Sequence, residues 1–448
     1  MVRELNKYST PGKAGIRNIF RSLQYRNYRY FFFGQSISLI GTWIQQIAIP
    51  WLVYSLTGSP FLLGLVGFVG QVPTFILAPF AGVLIDRWNR RTTLIVTQSL
   101  AMIQSIILTI LFFTKSIDVW HIILVSMLLG CINAFDMPAR QSFVIDIIEK
   151  KEDLGNAIAL NSTMMNSARL IGPAIAGVLI SIAGEGVCFL LNGISYIFVI
   201  VFLLMMRVSP RKGIVEKFPV FQGLKQGFRY TFGFMPIRYM ILLLALVSLM
   251  GMPFTVLMPV FAKSILHGGS HTFGFLMGAS GIGALIGAIY MASRKSVLGL
   301  AKNIPLFAGI FGIGLIAFSL SHNFFLSCFI LLVTGLGMIM QMTSTNTILQ
   351  TIVDDDKRGR VMSFYTMAFI GTAPFGSLFA GFLASKIGAP YTVIIGGASC
   401  LLGAVIYARK LPEIRKLVRL IYTKMGIIQE TGVEIHLPRN LTSSPPPE

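Results

Sequence analysis

Ionisable side chains are scarce in this sequence. Only 12% of its 448 residues are Asp, Glu, Lys or Arg, while 54% are hydrophobic. A water-soluble chain carries roughly twice that charge, so a soluble globular protein is excluded. Cysteine is nearly absent: Cys131, Cys188, Cys328 and Cys400 have neither metal-ligand nor disulfide-framework spacing. They read as small apolar residues within helices. The five histidines, His121, His267, His271, His322 and His436, form no helical ligand pair, so no metal site is expected. There is no Gly-x-x-x-x-Gly-Lys-Ser/Thr phosphate loop, which excludes an ATPase built on that motif. No other enzyme signature competes, and no cofactor is expected. Residues 1–28 are polar and basic and do not show the short apolar core and small-residue cleavage site of a signal peptide.

What the chain does have is apolar runs. Twelve stretches, each near the ~20 residues a spanning helix needs, fall at roughly 29–55, 60–85, 92–114, 119–143, 155–183, 186–206, 237–263, 272–293, 304–321, 323–350, 361–385 and 389–408. They are numbered here spans 1 to 12. Closed barrels are the other way to cross a bilayer, but barrel strands alternate apolar and polar residues, and these runs do not. An even number of spans puts both termini on one side. Lys115, Lys263 and Lys386 are the basic residues of the turns that follow odd-numbered spans. All others except Arg169 lie in the termini, the remaining loops, or at the same ends of spans, as Arg29, Arg140 and Arg238 do. Basic residues stay cytoplasmic, so both termini are expected in the cytoplasm. The net charge of +20 is then a topology signal, with attraction to anionic lipid headgroups; nucleic acid is not needed to explain it.

Residues 207–236 interrupt the pattern with Arg207, Arg211, Lys212, Lys217, Lys225, Arg229, Pro210 and Pro219. The expected organisation is a cytoplasmic segment over 1–28, a six-helix bundle over 29–206, a cytoplasmic linker over 207–236, a second bundle over 237–411 and a basic cytoplasmic tail over 412–448. Phe221, Leu224, Phe228 and Phe232 recur at helical spacing, so part of the linker is expected to form an interfacial helix. Ile414, Leu417, Val418 and Ile421 suggest the same for the tail. The halves also repeat. Span 5 holds Gly177-Val-Leu179-Ile-Ser181-Ile-Ala-Gly184, and span 11 holds Gly381-Phe-Leu383-Ala-Ser385-Lys-Ile-Gly388. Both read Gly-x-Leu-x-Ser-x-x-Gly. Transporters are often built from such repeated bundles; a tandem fusion giving only structural symmetry is the alternative.

Between spans 2 and 3 stands Gly82-Val-Leu-Ile-Asp86-Arg87-Trp88-Asn89-Arg90-Arg91. A carboxylate at a helix end in the membrane is costly unless paired, and three arginines are within reach of Asp86. Asn89 tolerates a left-handed turn better than most residues. In span 5, Gly172-Pro173 and Gly177 combine close packing with a missing backbone donor, which makes a bending point or a simple packing seam.

These motifs resemble those of the major facilitator superfamily, whose signature between spans 2 and 3 is Gly-x-x-x-Asp-Arg-x-Gly-Arg-Lys/Arg, with Asn89 here in place of the second glycine. The resemblance implies an all-α membrane protein of twelve helices in two pseudo-symmetric six-helix bundles. It also implies a cytoplasmic gate in which Asp86 and Arg90 form a state-dependent latch; a simple topology anchor is the alternative. Gly172-Pro173 resembles the motif of the exporter and antiporter branches. The runs Gly34 to Pro60, Asn133 to Gln141 and Asn156 to Ser162 look like the exporter subfamily that contains the enterobactin exporter, macrolide efflux pumps and a lysophospholipid transporter.

Charge and polarity inside the spans mark the candidate site. Asp136 and Arg140 lie one turn apart on span 4, acid first, as a favourable pair. They read either as a fixed ion pair or as a protonation site with Arg169 as partner. Arg169 is deep in span 5, where an arginine must face carbonyls, water, Asp136 or an anionic substrate. Gln35, Ser38, Thr42 and Gln45 form a polar stripe on span 1, and Gln341, Ser344 and Thr345 share a face of span 10. Both spans line the cavity in the superfamily; interhelical hydrogen bonding is the alternative. The expected function is secondary active export of a small amphipathic or anionic molecule, a siderophore or hydrophobic drug, by alternating access coupled to protons. The expected setting is a monomer in a bacterial inner membrane, in contact with its lipids. A lysophospholipid flippase and a non-transporting scaffold or receptor are the alternatives.

Overall fold

The computed structural model describes residues 20–208, 220–294 and 296–425. Among them there is no strand, and twelve helices are long and apolar enough to cross a membrane. Spans 1 to 6 are Arg26–Thr57, Pro60–Arg87, Arg90–Phe113, Val119–Ile147, Lys151–Ala183 and Glu185–Met205. Spans 7 to 12 are Met235–Ile265, Ser270–Ser293, Leu300–Ser319, Phe324–Ile352, Lys357–Ile387 and Ala389–Lys424.

The short turns have local causes. Ser59 caps span 2 by accepting from the Leu62 amide, with Pro60 at the first helical position, where its absent N–H costs nothing. Asn89 caps span 3, its side chain accepting from the Thr92 amide at 3.2 Å. Its φ of −70° is extended, so the left-handed turn expected at Asn89 does not form; the side chain is used as a helix cap instead. Gly184 and Gly388, the last glycines of the two repeats, have φ of +80° and +89°. Each turns the chain from one span into the next in a conformation that favours glycine.

Spans 1–6 and 7–12 form two bundles. In the first, span 1 packs on spans 5 and 6, span 3 on spans 4 and 6, and span 2 on span 4. In the second, span 10 packs on spans 8 and 9, and span 9 on span 12. The bundles meet along two seams, span 2 on span 11 and span 5 on span 8. Glycines make these seams close. A Cβ on Gly381 would stand 2.7 Å from the Gly64 Cα, and one on Gly274 would stand 2.8 Å from the Gly177 Cα. The first glycine of each repeat, Gly177 or Gly381, therefore sits at a bundle crossing. The repeat is the sequence trace of one seam built twice.

The start of span 5 and the start of span 11 are each held by the segment that precedes their bundle. Before span 1, a short turn over Arg21–Gln24 docks on span 5. Arg21 pairs with the buried Asp153, and Tyr25 and Gln24 donate to the same carboxylate at 2.6 and 3.2 Å. The hydrogen bond to Asp153, with burial and the carboxylate charge behind it, pushes the Tyr25 phenol above its ordinary pKa. Before span 7, a connector helix over Val220–Gly233 packs Phe228 and Phe232 on Phe364, and Lys357 stands over the Tyr230 ring at 4.9 Å. Residues 209–219 of the linker, residue 295, residues 1–19 and the tail beyond 425 lie outside the described residues, as do the side chains of Phe221 and Leu224.

Span 12 runs through Pro412 to Lys424 without a break. The apolar face expected to lie alone on a leaflet is turned inward, with Ile414, Val418 and Tyr422 buried in the core. Irregular turns concentrate in the second half. Span 7 contains wide π-helical turns at Val247–Gly251 and Phe261–Ile265, and span 11 one at Met367–Gly371. The Ser248 hydroxyl donates to the Phe369 carbonyl at 2.5 Å, joining two of them.

Candidate functional site

The seams are tightest at the end of the molecule remote from Arg26 and Lys424. There the Tyr54 and Ser264 hydroxyls lie 2.7 Å apart, Lys263 stands over the Tyr54 ring at 5.9 Å, and Trp51 stacks on Phe273. The Ser270 hydroxyl donates to the Gly177 carbonyl at 3.1 Å. Further along, Phe375 packs on Phe68 and Phe75. Span 8 still touches span 5 at Gly281, where a Cβ would stand 3.6 Å from the Leu170 Cα and 3.7 Å from the Arg169 carbonyl.

Past Arg169, toward the end that carries the termini, polar side chains join apolar ones such as Ile158 and Met165 on the exposed surface. Ser162, Thr163 and Asn166 of span 5 are exposed, and Thr343, Asn346 and Thr347 of span 10 are half-exposed. Hydroxyl and amide groups within a span do not face lipid without cost. Among the described residues, spans 5 and 10 are not one of the closely packed helix pairs, so these faces are the candidate walls of a cleft between the bundles, with Arg169 at the level where span 8 still touches span 5. The guanidinium lies over the Trp43 ring at 5.8 Å. Gly172, one turn further, leaves room for Trp43, because a Cβ there would collide with the Trp43 Cβ. Among the described residues, no carboxylate or hydrogen-bond acceptor is paired with Arg169. Pro173 is buried beside Gly172, and its carbonyl would be 2.6 Å from a Cβ on Gly274.

Asp136 is 2% exposed and engaged three ways. Arg140 pairs with Oδ2, while Thr97 and Gln98 donate to Oδ1 at 2.8 and 2.7 Å. The structure thus joins Asp136 to Arg140 and to span 3, and not to Arg169. The span 1 stripe also turns into its own bundle. Gln45 donates to Gln104 at 3.1 Å and accepts from Ser105 and Asn192 at 2.6 and 2.7 Å. Thr42 reaches Tyr196 at 3.5 Å, and Gln35 and Ser38 are buried. For Gln45 the interhelical alternative holds, because its partners lie on spans 3 and 6. On span 10, Gln341, Ser344 and Thr345 are buried as well, Gln341 donating to Thr345 at 3.4 Å. The neighbouring face with Thr343, Asn346 and Thr347 is the one that opens.

At the loop between spans 2 and 3, Arg90 donates to both oxygens of Asp146 on span 4 at 2.8 and 2.9 Å. Arg91 donates to the last carbonyls of span 6, Leu203 and Leu204, at 2.7 and 2.8 Å, a cation at a helix C-terminus. Both arginines therefore tie span 3 to neighbours in the same bundle. Arg87 is exposed, and a Cβ on Gly82 would meet nothing within 4 Å. The Asp86 side chain lies outside the described residues, and so does its expected part in a latch. Asp146 was not singled out by the sequence reading; an acid near the end of span 4 facing three loop arginines was the available signal.

Two six-helix bundles that close on glycine seams at one end and part around a polar cleft at the other define a membrane transporter of the major facilitator type. Solved structures with the same fold include a bacterial homologue of the iron transporter ferroportin in an inward-facing state. It aligns at a TM-score of 0.68 and 16% identity over 86% of this chain and 98% of that one. Another is a bacterial homologue of the human lysosomal transporter Spinster, inward-facing and unoccupied, at a TM-score of 0.65 and 15% identity over 89% and 98%. The chain belongs to the family of transmembrane secretion effectors, whose model it matches over residues 18–425. Relatives include the staphyloferrin A transporter of Staphylococcus aureus, 28% identical over 85% of this chain and 95% of that one. Macrolide efflux protein A of Streptococcus pyogenes is 22% identical over 88% and 99%. The multidrug efflux pump Tap of Mycolicibacterium fortuitum is 22% identical over 84% and 93%. The protein is an integral membrane transporter and not an enzyme.

Proposed function

We propose that this protein exports a small amphipathic or anionic molecule, a siderophore or a hydrophobic drug, by alternating access coupled to protons. Its termini face the cytoplasm, it acts as a monomer, and the cleft is the cytoplasmic entrance. The observation that carries this reading is Arg169: an uncompensated cation at the apex of a polar cleft, where the two bundles begin to touch. A buried charge without a partner is costly, and an anionic group on a bound molecule offsets that cost. Trp43 supplies a flat apolar face beside it, which suits an amphipathic ligand. The relatives named for staphyloferrin A, macrolides and multidrug efflux support the substrate range.

Closing the cleft while opening the far end requires the two seams to hinge. Gly172-Pro173 of span 5, where proline removes one backbone donor, and the π-helical turns of spans 7 and 11 are places where the helix ladder is weakened. Asp86 and Arg90 would join in closing the cytoplasmic side.

The test is a thermal-stability screen on purified protein, since a ligand stabilises the state it binds by mass action. Staphyloferrin A, a macrolide and a lysophospholipid are compared side by side, followed by uptake into proteoliposomes with and without a pH gradient. Stabilisation and gradient-dependent transport of the siderophore or the macrolide are expected. Transport that is indifferent to the gradient overturns the proton coupling. Stabilisation by lysophospholipid alone replaces the substrate assignment.

A further inference from the structure

At the end that carries the termini, two corners of the molecule gather cations around a tyrosine where the lipid-facing surface stops. Span 1 shows the bilayer one stripe at helical spacing, Ile37 and Phe33 leading to Tyr30 and Arg26. Span 6 turns Phe198, Val201 and Leu204 outward and ends at the exposed Arg207. The two stripes adjoin. Asn27 donates to the Arg207 carbonyl at 3.0 Å, and the Tyr30 ring stacks on Phe202 at 5.6 Å. The Arg26 guanidinium lies over the Tyr30 ring at 5.5 Å, and its Nε donates to the Tyr30 hydroxyl at 3.2 Å.

The second bundle repeats the corner with the corresponding spans. Arg238 of span 7 lies over the Tyr239 ring at 5.5 Å, one turn before the exposed Leu242. Span 12 carries Leu402, Ile406 and Arg409 along one exposed face. The next residue, Lys410, is within electrostatic reach of Tyr239 and pairs with Glu413 at 3.0 Å. Among the described residues, Arg26, Arg207, Arg238 and Arg409 have no carboxylate partner. Basic and aromatic residues collect at membrane interfaces in general. That tendency does not account for cations from two spans meeting beside one tyrosine, at the same place in both bundles.

We infer that each corner binds the headgroup of an anionic phospholipid, one between spans 1 and 6 and one between spans 7 and 12. The tyrosine ring holds the face of the guanidinium, so the N–H edge stays free. Arg26 spends Nε on Tyr30 and keeps both terminal nitrogens, which meet two phosphate oxygens at once. The acyl chains lie along the exposed apolar stripes that lead to each corner. A zwitterionic headgroup would bring its own ammonium among these cations; a phosphatidylglycerol headgroup brings the phosphate charge alone. Basic pockets between spans suit such headgroups. The corner of spans 1 and 6 is the stronger, because Glu413 stands beside the other. The seams are made by spans 2, 5, 8 and 11, so lipid binding here does not depend on which end is open, nor on what is transported.

The experiment is native mass spectrometry of the full-length purified protein, titrated with phosphatidylglycerol and, separately, with phosphatidylethanolamine. Wild type is compared with the double variants Arg26→Gln/Arg207→Gln and Arg238→Gln/Arg409→Gln. A control, Arg415→Gln/Lys416→Gln, removes two exposed cations of the span 12 extension that belong to neither corner. Wild type is expected to hold two phosphatidylglycerol molecules at concentrations where phosphatidylethanolamine stays at background. Each corner variant should hold one, the affinity of the lost site falling about thirtyfold, roughly a factor of five per arginine. The control should still hold two. Equal retention of the two lipids by wild type overturns the headgroup assignment, and that comparison needs no variant to fold. An unchanged count in a folded corner variant overturns that corner. A control that loses as much lipid as the corner variants shows diffuse attraction to positive charge and overturns both sites.

Discussion

At the scale of single residues, Arg169 has the most to decide. Its guanidinium is balanced by the face of Trp43 alone among the described residues, and a cation over an aromatic ring is worth about 0.5–2 kcal/mol. A carboxylate in the same place adds charge-assisted hydrogen bonds of about 1.5–3 kcal/mol, which is a factor of roughly ten to a hundred in affinity. Arg169→Ala is expected to lose binding of an anionic ligand by that factor or more while the protein stays folded, because the change removes an uncompensated charge. Arg169→Lys keeps the charge but not the planar fork, so it should fall between. Both are checked by calorimetric titration and thermal melting of the purified variants. Normal binding by a folded Arg169→Ala protein removes Arg169 from the site. Arg169 was legible in the sequence because a lone arginine deep in a span is conspicuous. Gln45 was legible only as polar. Its stripe showed that span 1 does not face lipid there, but a cleft and a bundle interior leave the same stripe. The residues that decide between them, Gln104, Ser105 and Asn192, are brought to Gln45 only by folding.

Helices and their contacts pose a different question: which surfaces must separate. Gly177 on Gly274 and Gly64 on Gly381 hold the seams at contact distances that leave no room for a side chain. Leucine at Gly177 or Gly381 must push the far end apart at a cost of about 1–3 kcal/mol, typical of overpacking. Folded variants should therefore show greater solvent access at the far end and less binding of ligand from the cleft side. Spin-label distances across spans 5 and 8 test this, and unchanged distances in Gly177→Leu reject it. The brackets at the other end can be probed through Asp153. Asp153→Asn removes the charge that Arg21 pairs with and weakens the acceptor used by Tyr25 and Gln24. Losing a buried pair's partner costs about 3–5 kcal/mol when both are fully buried; Arg21 is about half-exposed, so a smaller drop in melting temperature is expected, larger than for Lys410→Ala at an exposed pair. An equal drop for the two would mean the bracket adds nothing. The spans themselves were plain in the sequence as apolar runs. The end of the last one was not, because a proline and a string of basic residues read as a stop. Ile414, Val418 and Tyr422 find a protein surface to cover, and that surface exists only in the fold.

For the molecule as a whole, the open question of orientation can be tested against the arrangement of its loops. Lys115 and His322 are exposed in the turns after spans 3 and 9, at the end where the seams close. Lys150 and Ser296 are exposed in the loops after spans 4 and 8, at the end where the cleft opens. Basic residues crowd the second set of loops and are thin in the first, so the proposed orientation, with the cleft end in the cytoplasm, rests on the preference of basic residues for that side. Cysteine scanning converts this into a measurement. The four native cysteines, two of them only partly buried, are first replaced by alanine or serine. Lys115→Cys and His322→Cys should then react with a membrane-impermeant maleimide on intact cells. Lys150→Cys and Ser296→Cys should react only after permeabilisation. The reverse pattern inverts the protein in the membrane and turns the cleft into an outward-facing entrance, which makes importer the better reading. Labelling of both sets on intact cells rules out a fixed orientation altogether. The same background reports the transport cycle. Asn166→Cys, on the exposed polar face of span 5, should label from the cytoplasmic side of inverted vesicles and become protected when the Gly177→Leu change holds the far end apart. An Asn166→Cys variant that labels equally in both backgrounds would mean that opening one end does not close the other.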